Sequence, residues 1–352
     1  MHREFGVHLP RRFPPRRSRR VIVQATDSRR PRVSVTVPAY NSARSIERCL
    51  AALARQETSH PFEVLVVDSG DDDTCARAER ALPAARILRL PTRAVAPVAR
   101  NVGARAARGE ILAFIDSDAY AADAWIDNVV AAAETGYDLI CGSIDNANPH
   151  SAVARAEQLL MFNEFLPDLP TSRSWFALSG NMVLPRTSYD RFGPFVAVRA
   201  AEDVVFSRRL LAAGGRVLFY PALRASHDNR TRLRPFLRNQ FLVGKHTAIA
   251  RRLVQFDDID RYWLFLALLP IAPIAKLAKI TARMVQRHPR HLLMLGRELP
   301  LFAAGLCAYS AGMVAGAVTR APAAGDGSMY DGRVGRTPHA IESKSAASGG
   351  SA

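Results

Sequence analysis

The sequence is poor in cysteine, and its four cysteines stand far apart. Cys49, Cys75, Cys141 and Cys307 form no Cys-x-x-Cys pair and show no paired cysteine and histidine spacing. This pattern excludes the usual structural zinc motifs and favours a reducing compartment.

The N-terminal segment lacks an apolar stretch of the kind that a signal peptide needs. Residues 1–32 carry ten arginines against Glu4 and Asp27, which is half of the formal net charge of +16. We expect residues 1–31 to form a basic disordered tail. Such an arm can touch nucleic acid or anionic lipid, but a loose leader explains it equally well, and nucleic acid is not the expected partner.

The rest of the chain has the composition of a globular protein, with 48% hydrophobic and 23% charged residues. Within residues 33–139, short β-branched runs alternate with alanine-rich amphipathic stretches, which predicts an α/β fold with a mostly parallel sheet flanked by helices. Ligands gather at the carboxyl ends of such strands. The runs are 33–37, 62–67, 86–90 and 110–115, and polar residues follow three of them: Tyr40 and Asn41, Asp68, and Asp116 with Asp118.

Two aspartates separated by one residue carry little information by themselves, because chance predicts roughly one such pair in this chain. Three occur, but only Asp116 and Asp118 directly follow a buried apolar run. Two carboxylates this close repel each other unless a cation compensates, and a divalent ion bound together with diphosphate oxygens does so. The alternative is a strand-end turn with solvated aspartates.

Two further sets of acids have competing interpretations. Asp68 closes the second run and is expected to receive donors from a base or ribose, whereas helix capping explains Asp71, Asp72 and Asp73. Glu202 and Asp203 open a predicted helix over 201–215, where the helix dipole is a sufficient structural reason for them. Combined with a metal-binding pair, a separate acid at a helix start can deprotonate an attacking hydroxyl.

The order of these motifs resembles the family 2 glycosyltransferases of GT-A, or Rossmann-like, fold. The resemblance extends over about residues 32–230. It implies an inverting transferase that uses a nucleotide-diphospho sugar and a divalent metal, Mn²⁺ or Mg²⁺. The segments that carry it are VSVTVPAYN (33–41), EVLVVDSGDDDT (63–74), ARNVGARAARGEILAFIDSDA (99–119), SGNMVLPR (179–186) and AEDVVFSRRLLAAGGRVLFYP (201–221).

The resemblance also implies a role for individual residues. Asp203 is implied as the general base with Glu202 beside it, and Asp118 as the metal ligand. The implied donor contacts are Pro38, Tyr40 and Asn41 beside the nucleotide, Asp68 on the base, Arg100 and Asn101 near the ribose and diphosphate, Asp116 toward the ribose, and Gly180 and Asn181 in the sugar and acceptor pocket.

Three positions qualify that resemblance. The family usually has Asp-Gly-Ser-Thr-Asp after the second strand, whereas this chain has Asp-Ser-Gly-Asp-Asp-Asp at 68–73. His227 matches a histidine that some GT-A enzymes use as a third metal ligand, and a structural role stays open. Residues 238–240 read Arg-Asn-Gln where processive members carry Gln-x-x-Arg-Trp, which favours transfer of a single sugar.

The C-terminal third predicts association with a membrane. A basic amphipathic helical region (231–260) precedes two uncharged blocks, 262–275 with two prolines and 299–318, and only the second is long enough to span a bilayer. The intervening residues 276–297 carry six basic side chains and no acid, which favours the cytoplasmic face for this loop and the catalytic domain. We expect an interfacial or re-entrant first block and a second block that is able to span the membrane. A two-helix hairpin and a buried helical subdomain stay open. The spacing of Gly312 and Gly316 is attributed to chance.

The expected organisation is therefore a basic disordered tail (1–31), a GT-A domain (32–230), a basic amphipathic region (231–260), membrane-associated helices (261–319) and a disordered tail (320–352). The expected partners are a nucleotide sugar, a lipid-linked or glycan acceptor and a membrane surface. Two alternatives remain, a membrane-tethered binding protein without turnover and a nucleotidyltransferase. The latter usually has a glycine-rich, basic phosphate loop after its first strand, and PAYNSARS is not of that type.

Overall fold

The computed structural model describes residues 30–255, 267, 271–287 and 289–319. The predicted N-terminal tail up to residue 29, most of the block 262–275 and the tail from residue 320 lie outside the described residues. The strands are β1 Val33–Ala39, β2 Phe62–Asp68, β3 Arg86–Arg89, β4 Ile111–Ile115, β5 Ala119–Ala121, β6 Leu139–Asn146, β7 Ser172–Arg173, β8 Asn181–Pro185 and β9 Val217–His227.

The helices of the sheet domain are α1 Ile46–Ala54, α2 Thr74–Ala81, α3 Ala96–Ala106, α4 Trp125–Ala133, α5 Ala152–Phe162, α6 Arg186–Phe192 and α7 Glu202–Ala212. A long helix, α8 Leu233–Gln255, follows. The described part of the chain ends with α9 Ala272–Arg287, α10 Pro289–Arg297 and α11 Leu299–Val318.

The strands form one mixed sheet in the order β3-β2-β1-β4-β8-β6-β9-β5, with β7 paired to β9. Its first half is parallel, because β2 pairs with β1 and β3, and β1 pairs with β4, in the same direction. β8 then runs antiparallel to both β4 and β6. The α/β prediction is confirmed, and the predicted strands fall where the β-branched runs placed them.

The sheet is buried on both faces, as parallel strands covered by helices are. One face packs against α1, α2 and α4 through a core that includes Ile46, Leu50 and Trp125. The other packs against α3, α6 and α7 and includes Phe114 and Phe195, whose rings meet edge to face at 5.5 Å. The two layers hold the carboxyl ends of β1, β2 and β4 at one rigid edge.

The short strand β5 brings the sequence-distant strand β9 to that edge. Ala119 of β5 lies opposite His227 at the end of β9 in antiparallel register. Asp118 directly precedes Ala119, and its carbonyl oxygen accepts the Asp228 N–H at 2.8 Å. The pairing therefore sets the aspartates after β4 beside the end of β9.

The C-terminal helices pack on the sheet domain through α5. Leu160 and Phe236 lie in one core cluster with Ile280, Phe302 and Leu306. The buried carboxylate of Glu298, just before α11, accepts the Arg155 guanidinium at 2.6 Å. These contacts join α8, α9 and α11 to the sheet domain.

α8 and α11 approach each other at backbone distance. A Cβ atom on Gly312 would lie 1.9 Å from the Phe241 oxygen, and one on Gly244 would lie 1.9 Å from the Tyr309 oxygen. A Cβ atom on Gly316 would lie 2.1 Å from the Lys245 oxygen. The attribution of the Gly312 and Gly316 spacing to chance is thus wrong, because the absence of a side chain at both glycines lets α8 and α11 pack this closely.

Candidate active site

The first wall of the candidate site follows β1. Pro38 is buried in the strand, whereas Tyr40 is 40% exposed and carries the Arg93 guanidinium 4.6 Å above its ring. Asn41 has a positive φ of 50°, a conformation that asparagine tolerates better than most residues, and its Oδ1 accepts the Asp71 N–H at 3.1 Å. Tyr40 and Asn41 therefore lie on the cleft, and Pro38 supports them from below.

Asp68 shapes the neighbouring turn and does not face the cleft. Its side chain is fully buried. Oδ1 accepts the Gly70 N–H at 3.0 Å, and Oδ2 lies 3.0 Å from the Cys75 Sγ, which donates to it. The two carboxylate oxygens therefore hold the turn after β2, and the expected contact of Asp68 with a base stays a prediction.

Arg100 of α3 joins two acids that are distant in sequence. Its Nη2 donates to Asp116 at 2.6 Å and its Nη1 to Glu202 at 2.7 Å, and the side chain is 3% exposed. The prediction placed Arg100 against ribose and diphosphate. The structure instead uses both terminal nitrogens to couple the end of β4 to the start of α7.

Gly180 allows this end of β4 to lie close to the next segment. A Cβ atom at Gly180 would lie 2.8 Å from the Asp116 Oδ2, and the Asp116 N–H donates to the Gly180 carbonyl at 3.3 Å. Any side chain here would displace the Asp116 carboxylate. The structure therefore brings Gly180 and Asp116 together, and their predicted contacts with a donor sugar and its ribose stay predictions.

Glu202 and Asp203 are buried at the start of α7. Ser179 contacts both, because its hydroxyl donates to Glu202 at 3.0 Å and its N–H donates to Asp203 Oδ2 at 3.2 Å. The Val204 N–H donates to Asp203 Oδ1 at 2.8 Å.

The two carboxyls have raised pKa values. Burial raises the pKa of Glu202, the neighbouring Asp203 carboxylate adds to the rise, and Arg100 opposes it. Burial also raises the pKa of Asp203, against the opposing effect of the two N–H donors and Arg100. A buried carboxyl that binds its proton more tightly than usual is suited to proton transfer near neutral pH.

His227 faces Asp118 across the strand pair, with its Nε2 3.5 Å from Asp118 Oδ1. The other ring nitrogen, Nδ1, lies 2.7 Å from Asn229 Oδ1. The Asn229 amide nitrogen donates to the Ala154 carbonyl at 3.2 Å and to Gln158 Oε1 at 2.8 Å, which fixes its oxygen toward the ring. His227 Nδ1 must therefore carry a proton, and Nε2 is the ring nitrogen that faces Asp118.

A carboxylate oxygen and a neutral imidazole nitrogen at this separation are a donor set that suits a divalent transition metal. Fixing the tautomer through the second ring nitrogen is the usual arrangement around histidine ligands. Among the described residues, no group of three or more histidine, cysteine or acidic side chains is disposed to hold a metal. Asp118 and His227 thus fit a metal that takes further ligands from elsewhere.

Two predicted donor contacts are instead structural. Asn101 accepts the Tyr189 hydroxyl and the Phe195 N–H, both at 2.9 Å, and donates to the Phe195 carbonyl. Asn181 is fully buried, accepts the Trp125 indole N–H at 3.0 Å and donates to the carbonyls of Ser143 and Leu223. Since both amides are satisfied within the core, neither lines the cleft.

Ser179 and Asn229 were not among the predicted site residues. Ser179 stands directly before Gly180 in the segment SGNMVLPR, yet its contact with both acids depends on α7 lying beside it. Asn229 follows His227 by two residues, and that spacing was the only available signal. A further link, the hydroxyl pair Ser42 and Ser117 at 2.8 Å, ties the loop after β1 to the aspartate pair.

Comparison with known proteins identifies relatives of the sheet domain. Residues 34–193 match the family described as Glycosyl transferase family 2. The chain is 31% identical over 225 residues to the glycosyltransferase AglE of Haloferax volcanii. The matched region covers 61% of this chain and 72% of AglE. It is 27% identical over 238 residues to the pre-mycofactocin glycosyltransferase of Mycobacterium tuberculosis, covering 62% of this chain and about half (48%) of that relative.

Among solved structures, the chain is similar in fold to the mannosyltransferase PcManGT from Pyrobaculum calidifontis, determined in complex with GDP-Man and Mn²⁺. The TM-score is 0.53 at 21% identity, over 82% of this chain and 88% of the other. At that identity the likeness concerns the fold. It is consistent with the mixed sheet and the placement of its helices.

Proposed function

The chain belongs to glycosyl transferase family 2 and is a glycosyltransferase with a nucleotide-sugar donor. From that premise we propose that it transfers a single sugar to an acceptor hydroxyl with inversion of the anomeric configuration. The observation that carries the proposal is the connection made by Arg100. One buried guanidinium pairs with Asp116 beside the metal-binding acid and with Glu202 beside the base. A single buried side chain therefore connects the residues proposed to bind the donor with the residues proposed to activate the acceptor.

Asp203 is the proposed general base. Glu202 is engaged by Arg100 and the Ser179 hydroxyl, whereas Asp203 accepts only two backbone N–H groups. Each carboxylate oxygen has two lone-pair directions, so Asp203 retains acceptor capacity for the hydroxyl proton. Glu202 then positions Arg100, while burial and, to a lesser extent, the Asp116 carboxylate raise the pKa of Asp203. With one base on the face opposite the leaving group, the anomeric configuration inverts.

Asp118 and His227 are the proposed holders of Mn²⁺ or Mg²⁺ in a site that suits such an ion. When bound, the metal supplies positive charge to the diphosphate as it leaves. Asp118 provides the oxygen ligand, and Asn229 keeps the His227 Nε2 lone pair directed at the same place.

Arginines near Tyr40 support an anionic donor. Burial lowers the pKa of Arg199, and the neighbouring guanidinium groups of Arg93, Arg238 and Arg230 lower it further. The second of these effects reflects crowded positive charge, which a diphosphate relieves. Tyr40, with Arg93 over its ring, offers a face to the base, and Asn41 lies next to it.

We place the acceptor among lipid-linked or glycan precursors and the catalytic domain on the cytoplasmic face of a membrane. Within the described residues, one helix, Leu299–Val318, is long and apolar enough to cross a bilayer by length and composition. The basic residues between 276 and 297 favour the cytoplasmic side. Transfer of one sugar fits the absence of Gln-x-x-Arg-Trp at 238–242.

The test is calorimetric titration of UDP, GDP, CDP and dTDP into the full chain, with and without Mn²⁺, for the wild type and Asp118→Asn. We expect one nucleotide to bind in a metal-dependent manner that Asp118→Asn loses. Asp123→Asn is the matched control, because Asp123 is an exposed acid five residues away.

The enzyme is then given nucleotide sugars that contain the nucleotide it binds, together with candidate acceptors. NMR determines the anomeric configuration of the product. A retained anomeric configuration would refute the single-base mechanism. Equal nucleotide binding by Asp118→Asn and Asp123→Asn would remove Asp118 from the metal site.

A further inference from the structure

The C-terminal helices α9 to α11 carry an unusually apolar exposed surface. Seven large apolar side chains in this part of the chain are exposed, with Leu293 at 81% and Val318 at 77%. We call this set the apolar face: Ile271, Ile274, Val285, Leu293, Leu299, Val314 and Val318. So many large apolar side chains exposed along successive helices indicate an interaction surface.

Basic residues accompany the apolar face. Residues 271–319 contain six lysines and arginines, at 276, 279, 283, 287, 290 and 297, and one acid, Glu298, whose buried carboxylate is held by Arg155. Arg283 and Arg290 pair with Glu164 and Asp168 of the sheet domain, whereas Lys279 and Arg297 are exposed and leave positive charge at the surface. Apolar side chains bordered by basic ones match an anionic lipid leaflet, where the former enter the acyl region and the latter contact headgroups.

The packing of α11 leaves too little of it to cross a bilayer. Phe302, Gly305 and Leu306 are buried against α5 and α8, with a Cβ on Gly305 only 2.4 Å from Phe236 and 3.0 Å from Leu160. The first two turns of α11 therefore belong to the core of the catalytic domain. Residues 307–318 then reach about 18 Å at 1.5 Å per residue, against a hydrocarbon thickness of about 30 Å.

The partner helix α8 gives a second, independent reason. Contacts pair Phe236 with Gly305, and Lys245 with Gly312 and Gly316, so the two helices run in the same direction side by side. Arg238, Lys245 and His246 of α8 thus lie level with the middle and end of α11. Bringing α11 across a bilayer would carry these side chains to hydrocarbon depth, which is costly.

We propose that the apolar face seats the enzyme on one leaflet of an anionic bilayer and that α11 lies at that surface without crossing it. The proposal rests on the proposed function only for the cytoplasmic side and the lipid-linked acceptor. The chain before α8 and the chain after residue 319 then lie on the same side of the membrane.

Binding is tested by flotation of the full chain with vesicles of phosphatidylcholine alone or mixed with phosphatidylglycerol. We expect tighter binding to the anionic vesicles, with about a fivefold loss for each of the exposed basic residues Lys279 and Arg297 when it is replaced by glutamine. Ile274→Lys combined with Leu293→Lys should weaken binding about tenfold or more. Leu211→Lys is the matched control, since Leu211 is an exposed leucine on α7, outside the apolar face.

Crossing is tested by labelling with a membrane-impermeant maleimide in sealed inside-out vesicles. The background is Cys307→Ser, because Cys307 is exposed on α11, and the probes are Thr187→Cys on α6 and Ser328→Cys after α11. Mass spectrometry of the labelled peptides separates these sites from Cys75. We expect both probes to react from the same side.

Reaction of Ser328→Cys only from the side opposite Thr187→Cys would show that α11 crosses and would overturn the proposal. Absence of binding to either vesicle type would overturn it as well, because the apolar face would then have another occupant. Neither readout depends on catalysis. An enzyme without transferase activity would still report its topology, so failure of this inference is distinct from failure of the proposed function.

Discussion

Replacing Arg100 with methionine tests how the candidate site is held together. Methionine keeps the apolar stem and approximate length of the side chain but removes the charge that pairs with Asp116 and Glu202. The Glu202 side chain is 7% exposed, so its carboxylate would remain buried without a cation. We expect the folded state to be destabilised chiefly by that unpaired charge.

The magnitude follows from the burial of each partner. Removing one member of a buried pair costs about 3–5 kcal/mol. The Asp116 side chain is 31% exposed, and water compensates much of its loss, about 1 kcal/mol or less. At pH 8 we therefore expect Arg100→Met to lose about 3–5 kcal/mol of unfolding free energy, most of it from Glu202.

The loss of unfolding free energy in Arg100→Met should depend on pH. Burial and Asp203 raise the pKa of Glu202, and Arg100 opposes them, so removal of Arg100 raises that pKa further. A carboxyl whose folded-state pKa exceeds its unfolded value adds stability at low pH, and this stability is lost as the pH rises through the folded-state pKa. The deficit of Arg100→Met should therefore shrink at pH 5 to about 1–2 kcal/mol, the cost of the lost hydrogen bonds.

Urea unfolding at pH 5 and pH 8, followed by the fluorescence of buried Trp125, measures these values. The matched variant is Arg100→Met combined with Glu202→Gln, which removes the unpaired charge. This double variant should be about 2 kcal/mol more stable than Arg100→Met at pH 8, and the two should be alike at pH 5. Equal stabilities of the two variants at pH 8 would refute the reasoning.

Three further predictions follow from other contacts. Asp203→Asn should lower turnover about 10²- to 10⁴-fold while leaving nucleotide binding unchanged, and normal turnover would exclude Asp203 as the base. Asn229→Ala should weaken Mn²⁺ binding, measured by electron paramagnetic resonance with nucleoside diphosphate present, about 10- to 100-fold, whereas Asn128→Ala, at an exposed asparagine on α4, should not. Gly312→Ala should make α11 more accessible to limited proteolysis, because its Cβ would lie 1.9 Å from the Phe241 oxygen. Gly296→Ala should have no such effect, because there is open space around Gly296. Identical digestion of the two variants would contradict the close packing of α8 and α11.

The location of the site was predictable because it depends on local patterns. Runs of β-branched residues end in polar ones, and the carboxyl ends of parallel strands share an edge, so Tyr40, Asn41 and Asp116 are found together. The same reasoning placed Asp118 after β4. α11 also occupies the whole of the uncharged block 299–318, because a strongly biased composition leaves a helix little ambiguity.

The direction of individual side chains was not predictable. Asn101 and Asn181 stand in segments that border the cleft, but their amides turn inward to partners up to 94 residues away. Arg100 was assigned to an anionic ligand, and the structure supplies two carboxylates of the chain itself. Tertiary contacts of this kind depend on strand order, and a single sequence does not contain that order in readable form.

The pairing of β5 with β9 also has a consequence for biosynthesis. Asp118 leaves the ribosome about 110 residues before His227, which at 5–20 residues per second corresponds to roughly 5–20 s. During that interval the parallel strands can assemble, but β5 has no partner strand and Asp118 has no histidine opposite it. The parallel half of the sheet can therefore form before Asp118 meets His227, and under the proposed function the metal-binding pair is complete only after β9 has joined the sheet.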